Sequence, residues 1–185
     1  MESGILHGKV AIITGAAKGI GLATAIEFAD EGAAVGMLDI DIDKANLEAS
    51  KIQGKGGHAM AFYCDVRDIC SVETAIGAVN EEFGHVSIGM CNAATLTQAA
   101  SIQDLSLESW NDALAVNLTG VFLTAKFLIP QLLLAGGGSI IITASQMARV
   151  ATPMRGAYCS TKGALLQFAK VIALEHAEDN IRANT

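Results

Sequence analysis

The passage from Lys9-Val10-Ala11-Ile12-Ile13-Thr14 into Gly15-Ala16-Ala17-Lys18-Gly19-Ile20-Gly21 constrains the fold more than any other stretch of the chain. A short run of branched apolar residues enters spaced glycines, and helical periodicity follows over residues 22–31. This is a strand, a tight turn and a helix. The alternation then repeats. Residues 33–38 make a second strand ending at Asp39, with a helical stretch over 41–52. Residues 58–64 and 86–91 make the third and fourth strands, separated by a helix over 68–83. A long helix is expected over 106–134, with Pro130 kinking its end. Residues 139–144 form a fifth strand, 156–178 a last helix, and 181–185 the start of a sixth strand.

Near-continuous apolar strands that alternate with amphipathic helices require a parallel sheet covered on both faces, with right-handed crossovers. The expected fold class is therefore α/β, a doubly wound, Rossmann-like sheet of six strand candidates, the last one cut short. No linker, repeat or low-complexity stretch interrupts the pattern. With 185 residues, 51% of them hydrophobic, one domain over 1–185 is expected.

Nineteen acidic residues against twelve basic ones give a net charge of -7, and no Lys/Arg cluster is present to grip a phosphodiester backbone, so nucleic acid is excluded as a partner. Cys64, Cys70, Cys91 and Cys159 form no Cys-x-x-Cys pair, which fits reduced thiols in a cytoplasmic setting and gives no metal site. The eight residues before the first strand are too few for a signal peptide. No apolar run approaches the ~20 residues needed to span a bilayer, so no membrane association is expected.

Glycines at 15, 19 and 21 suit a plain tight turn, but at a strand-to-helix junction they also let a pyrophosphate approach free backbone N–H groups at a helix N-terminus. Asp39 ends the second strand, where a carboxylate accepts hydrogen bonds from an adenosine ribose and repels a 2′-phosphate. NAD is thus expected over NADP, although Lys18 in the turn is a cation that favours an extra phosphate. A helix cap is the other reading of Asp39. Asp65, in Tyr63-Cys64-Asp65-Val66, is either an acceptor for the adenine amino group or a turn or cap residue.

Tyr158 and Lys162 fall four residues apart on the last helix and so share a face, where the ammonium favours ionisation of the phenol and makes it a proton donor and acceptor. Such a pair is also an ordinary surface contact. Its weight comes from Ser145, a hydroxyl thirteen residues upstream of Tyr158 that ends the run over 139–144.

Thr14-Gly15-Ala16-Ala17-Lys18-Gly19-Ile20-Gly21, Asp39, Asp65-Val66, Asn117 in Val116-Asn117-Leu118-Thr119-Gly120, Ser145 and Tyr158-x-x-x-Lys162 occur in this order. The chain thereby resembles the short-chain dehydrogenase/reductase family over essentially its whole length. The resemblance implies hydride exchange between a nicotinamide and a carbinol or carbonyl carbon. Tyr158 would be the general acid/base and Ser145 would position the reacting oxygen. Lys162 would assist the tyrosine and hold the nicotinamide ribose, and Asn117 would anchor a water linking that lysine to solvent. Cofactor contacts would come from Gly15, Lys18, Gly19, Ile20, Gly21, Asp39, Asp65, Val66, Asn92, Tyr158 and Lys162.

Two departures stand out. Cys91-Asn92-Ala93-Ala94 replaces the family's Asn-Asn-Ala-Gly, so only Asn92 and Ala93 match; the brace between the fourth strand and the glycine turn is expected to be altered, with a methyl at 94 crowding the cofactor. The chain also lacks the family's C-terminal segment, which is expected to leave an open sheet edge and an uncovered apolar face. The expected substrate is a small apolar alcohol or ketone, with an apolar wall from Met147, Ala148, Val150, Ala151 and Met154. Arg149 and Arg155 read as solvent-facing. Apolar helix surface over 106–134 and 156–178 points to a homodimer or homotetramer. A catalytically impaired nucleotide-binding or interaction protein and an epimerase or dehydratase are the competing functions.

Overall fold

The computed structural model describes residues 4–185. Six strands form one sheet: β1 (Val10–Thr14), β2 (Ala34–Asp39), β3 (His58–Tyr63), β4 (Ile88–Cys91), β5 (Gly138–Ile142) and β6 (Ile181–Asn184). Their order is β3-β2-β1-β4-β5-β6, and every neighbouring pair is parallel. The chain builds from β1 to β3, returns past β1 to β4, and continues the other way. That reversal opens a crevice beyond the carboxyl ends of β1 and β4, where ligands of such sheets bind. Among the described residues β6 is an edge, with β5 its single neighbour.

Helices α1 (Gly19–Asp30), α2 (Ile42–Gln53), α3 (Ile69–Phe83), α4 (Leu107–Leu114), α5 (Gly120–Leu134) and α6 (Gly156–Glu175) cover the sheet. Successive strand residues alternate between two cores, as the pleat requires. Ile12, Leu38, Ile140 and Ile142 pack with Val72 and Val79 of α3, Leu128 of α5 and Leu165 of α6. Ile13, Val35, Met37 and Met90 pack on the other face with Ala25 and Ala29 of α1 and with Ile52 of α2. The near-continuous burial of β1 and β2 is what a sheet covered on both faces demands.

The long helix expected over 106–134 is interrupted. α4 and α5 are joined by a wider π turn, Ala115–Thr119, with Asn117 at its centre. The irregularity falls there because a fully buried amide makes its hydrogen bonds to groups outside the helix, and π turns of this kind accompany functional sites. α5 continues through Pro130 to Leu134. By length and composition the helical run Leu107–Leu134 is apolar enough to cross a membrane, which corrects the expectation that no stretch comes near that threshold. In this fold the run serves the core: Val121, Leu128 and Leu132 are buried against α3 and the sheet.

Candidate active site

A cavity of about 890 Å³ lies at the carboxyl ends of β1–β5, inside the size range of cofactor pockets. At one end it is built by the glycine turn. Gly15 has φ +67° and Gly19 φ +60°, left-handed values that other residues adopt only under strain. A Cβ on Gly21 would overlap Gly15 O, so the turn closes only with glycine at that position. Around the Cβ position of Gly19 there is open space. Side chains cap α2, α3 and α4 through Asp41, Asp68 and Ser106, whereas α1 begins without such a cap. Its first N–H groups, with the positive end of the helix dipole, thus form an anion cradle, and the residues present fit a pyrophosphate. Lys18 and Ile20 line the cavity, exposed at its rim; Gly21 lies behind the wall.

Asp39 projects into the same cavity, with Oδ2 accepting from Ala17 N at 2.8 Å and Oδ1 from Asp41 N at 2.9 Å. The cap of α2 is Asp41, not Asp39: Asp41 Oδ1 accepts from Lys44 N at 3.2 Å. Asp65 belongs to a turn, with its carbonyl accepting from Asp68 N at 3.0 Å, and Asp68 caps α3. The Asp65 carboxylate pairs with Arg67 at 2.7 Å. Hydrogen bonds from the Arg67 side chain hold that carboxyl below the usual carboxylate range. Burial, with the Asp65 and Asp39 charges adding, pushes the nearby Cys64 thiol up to about 12. Val66 is buried, and with Val116 lines the wall between the two ends.

The brace between β4 and the glycine turn is present despite the departure at Cys91. Asn92 Nδ2 donates to Thr14 O at 3.1 Å and Gly15 O at 3.2 Å. Thr14 Oγ1 accepts from Asn92 N at 3.0 Å and Ala93 N at 3.1 Å, and Thr143 Oγ1 donates to Asn92 Oδ1 at 3.2 Å. The hydroxyls of Thr14 and Thr143 therefore join three strands. The Ala94 methyl lines the cavity.

At the other end lie Ser145, Tyr158 and Lys162. Ser145 starts a short 3-10 turn, its Oγ accepting from Met147 N at 3.1 Å, which leaves its own O–H to donate. Lys162 is 2% exposed. Burial holds its ammonium below the usual lysine range. Its Nζ donates to Thr143 O at 2.6 Å and lies 5.9 Å from the Tyr158 ring centre. Asn117 is wholly buried beneath these groups and does not line the cavity. Its Oδ1 accepts from Thr95 N at 2.7 Å, while Nδ2 donates to Thr95 O at 2.9 Å and Thr161 Oγ1 at 3.4 Å.

The family model described as short chain dehydrogenase matches residues 9–185. This chain belongs to that family. D-threitol dehydrogenase of Mycolicibacterium smegmatis is 41% identical over 180 residues, 97% of this chain and 69% of that protein. The 2,5-dichloro-2,5-cyclohexadiene-1,4-diol dehydrogenase of Sphingobium indicum is 39% identical over 97% of this chain and 72% of its own length. Among solved structures, NAD+-bound xylitol dehydrogenase superposes with a TM-score of 0.94 at 32% identity, covering 97% of this chain and 69% of that one. The parallel, Rossmann-like sheet is shared with that structure.

Several residues that shape the site were missed in the sequence. Thr14 and Thr143 carry the same signal that singled out Ser145, a hydroxyl at or just past a strand end. Arg155 is not solvent-facing, since its Nη1 donates to Thr97 O at 2.7 Å and ties the loop after β4 to the start of α6. Arg67 gave no signal beyond lying two residues from Asp65.

Proposed function

We propose that this member of the family is an NAD-dependent dehydrogenase that exchanges hydride with the carbinol carbon of a small secondary alcohol, diols included. One observation carries the reading: a buried Lys162 ammonium, tethered to Thr143 O, sits beside Tyr158 in the cavity that also holds Ser145, the uncapped start of α1 and Asp39. The bound nicotinamide would accept the hydride. The protein's part is to hold the alcohol and move its proton. Ser145 donates its hydroxyl to the reacting oxygen and orients it. Tyr158 takes the alcohol proton in oxidation and returns it in reduction, and the Lys162 charge favours the phenolate formed between those events. Asn117 is a positioning residue that fixes Thr95 and Thr161 beneath the site.

The same reading extends to the cofactor, the substrate and the assembly. Each Asp39 oxygen accepts one backbone N–H, so lone pairs remain for a ribose 2′-hydroxyl, and the carboxylate opposes a 2′-phosphate. A small alcohol or ketone is the substrate class, in keeping with the names of the diol and polyol dehydrogenases to which the chain is similar. Buried thiols at Cys64 and Cys91 suit a reducing cytoplasm, and apolar surface on α5 and α6 suits a homodimer or homotetramer.

Steady-state turnover of NAD with secondary alcohols, threitol, xylitol and cyclohexanol, beside direct titration of NAD and NADP, tests the proposal. NAD reduction with at least one alcohol is expected. NAD binding without any turnover would favour the impaired binder. Asp39→Ala should narrow the preference for NAD, and tighter binding of NADP than NAD by the unmodified chain would remove Asp39 from the argument.

A further inference from the structure

Thr143 is the first residue past β5, and each of its three polar groups is bonded to a different part of the site. Its N–H continues the ladder to β4, donating to Cys91 O at 3.0 Å. Its carbonyl accepts from Lys162 Nζ at 2.6 Å. Its hydroxyl donates to Asn92 Oδ1 at 3.2 Å. The direction of that last bond is fixed, because Asn92 Nδ2 donates to Thr14 O and Gly15 O and so turns the amide oxygen toward Thr143. A continuous path of hydrogen bonds therefore runs from the glycine turn through Asn92 and Thr143 to the buried ammonium.

Bracing β1 to β4 does not require the Thr143 hydroxyl. Thr14 Oγ1 already accepts from Asn92 N and Ala93 N, and the Asn92 amide reaches the glycine turn on its own. What the Thr143 hydroxyl adds is a hold on the end of β5, where the chain leaves the sheet toward Ser145. That peptide carries the one hydrogen-bond acceptor that Lys162 Nζ has among the described residues. The ammonium is only as fixed as this carbonyl, and two of its three N–H donors stay free for a ligand.

We propose that Thr143 is a positioning residue for Lys162: its hydroxyl, anchored through Asn92, holds the carbonyl that places the ammonium beside Tyr158 and within reach of the nicotinamide half of a dinucleotide. This rests on the dehydrogenase reading above. A hydroxyl that transfers no proton itself then sets both the affinity for the nicotinamide half and the rate of the proton step.

Calorimetric titration of the full chain with NAD and with ADP tests this apart from turnover. ADP carries the pyrophosphate that the glycine turn would hold and lacks the nicotinamide ribose. Thr143→Val keeps the shape of the side chain and removes its donor, so NAD should bind about fivefold more weakly while ADP affinity stays within about twofold. Thr143→Ser keeps the hydroxyl and should restore NAD affinity; Thr143→Ala replaces the valine variant if that chain does not fold. In steady-state turnover with an alcohol, Thr143→Val should lower kcat about tenfold with little change in KM for the alcohol. Equal losses for NAD and ADP overturn the proposal, because the hydroxyl then acts on the glycine turn alone, and so do unchanged affinities and rates. NAD binding without ADP binding removes the glycine turn from the site and overturns it as well. An unmodified chain that binds NAD and turns over no alcohol overturns the dehydrogenase reading, while the NAD and ADP affinities still decide the role of Thr143. Binding of neither nucleotide overturns both.

Discussion

Lys162 sets stability against chemistry in one side chain. Its ammonium is buried and its charged form is penalised by that burial, yet the proposed mechanism needs that charge beside Tyr158. In the window between its lowered folded value and the unfolded value near 10.5, the unfolded chain binds more protons, so stability from this group rises with pH there. Below that window the penalty is fully present. Lys162→Met removes the titration, so the stability of the unmodified chain should climb relative to the variant as pH rises through that window toward the unfolded value near 10.5. Paired thermal melts across that range measure the difference, and parallel pH curves would show that Lys162 keeps an ordinary lysine titration in the fold. The same variant should lose turnover. Tyr158→Phe isolates the proton step, because the ring stays and only the transferable proton goes. Turnover should fall by about 10²–10⁴-fold with NAD affinity nearly unchanged, and near-normal rates would exclude Tyr158 as the acid/base.

At the scale of elements, the π turn Ala115–Thr119 is the device that delivers a buried amide to the loop after β4. Asn117→Ala would leave Thr95 N–H and C=O without their partners in a buried setting, at a cost of about 2–5 kcal/mol by the usual penalties for unmade hydrogen bonds. Urea titration should show a lowered midpoint with little change in slope, and a variant as stable as the parent would mean that Thr95 finds other partners. The turn itself was not legible in the sequence, since helical periodicity runs on through Val116 and Leu118 and one extra residue per turn barely disturbs it. Asn117 was legible as an oddity: an amide within an apolar helix needs partners, and the sequence does not say which. The strands, their parallel sense and the glycine turn could be read because burial on both faces leaves a continuous apolar run, and because a closed turn admits no Cβ at Gly21. The caps were harder. Asp39, Asp41, Asp65 and Asp68 all lie at or just past strand ends, and only the fold separates the helix caps, Asp41 and Asp68, from Asp39 and Asp65, which line the cavity without capping a helix. The Arg67 fork and the Arg155 tether depend on side chains meeting across a turn or between distant segments, which periodicity does not encode.

For the whole molecule, the unresolved balance is apolar area left on the outside of α5 and α6. Phe122 and Phe168 meet edge to face with ring centres 6.5 Å apart, joining the two helices on their outer side. Phe122, Ile129 and Leu133 follow one another at seven and four residues along α5, the spacing of a single helix face. On α6, Val171 lies one turn past Phe168, and Leu174, 81% exposed, a further turn on. A stripe of this kind on two adjacent helices suits self-complementary pairing about a two-fold axis, where the same residues meet their own copies and both partners gain equally. Stable pairing buries about 1,200–2,000 Å² in total, an area that two helices per subunit can supply. Light scattering with size-exclusion chromatography should find a dimer or tetramer at micromolar concentrations. A charge at the centre of the stripe, Phe122→Glu, or at its end, Leu174→Glu, should drive the chain toward monomer, because burying an unpaired carboxylate opposes association strongly. Leu47→Glu makes the control, an exposed leucine on α2 away from the stripe, and should leave the assembly unchanged. A monomer at all concentrations in the unmodified chain, or an assembly that withstands both glutamates, would place the interface elsewhere.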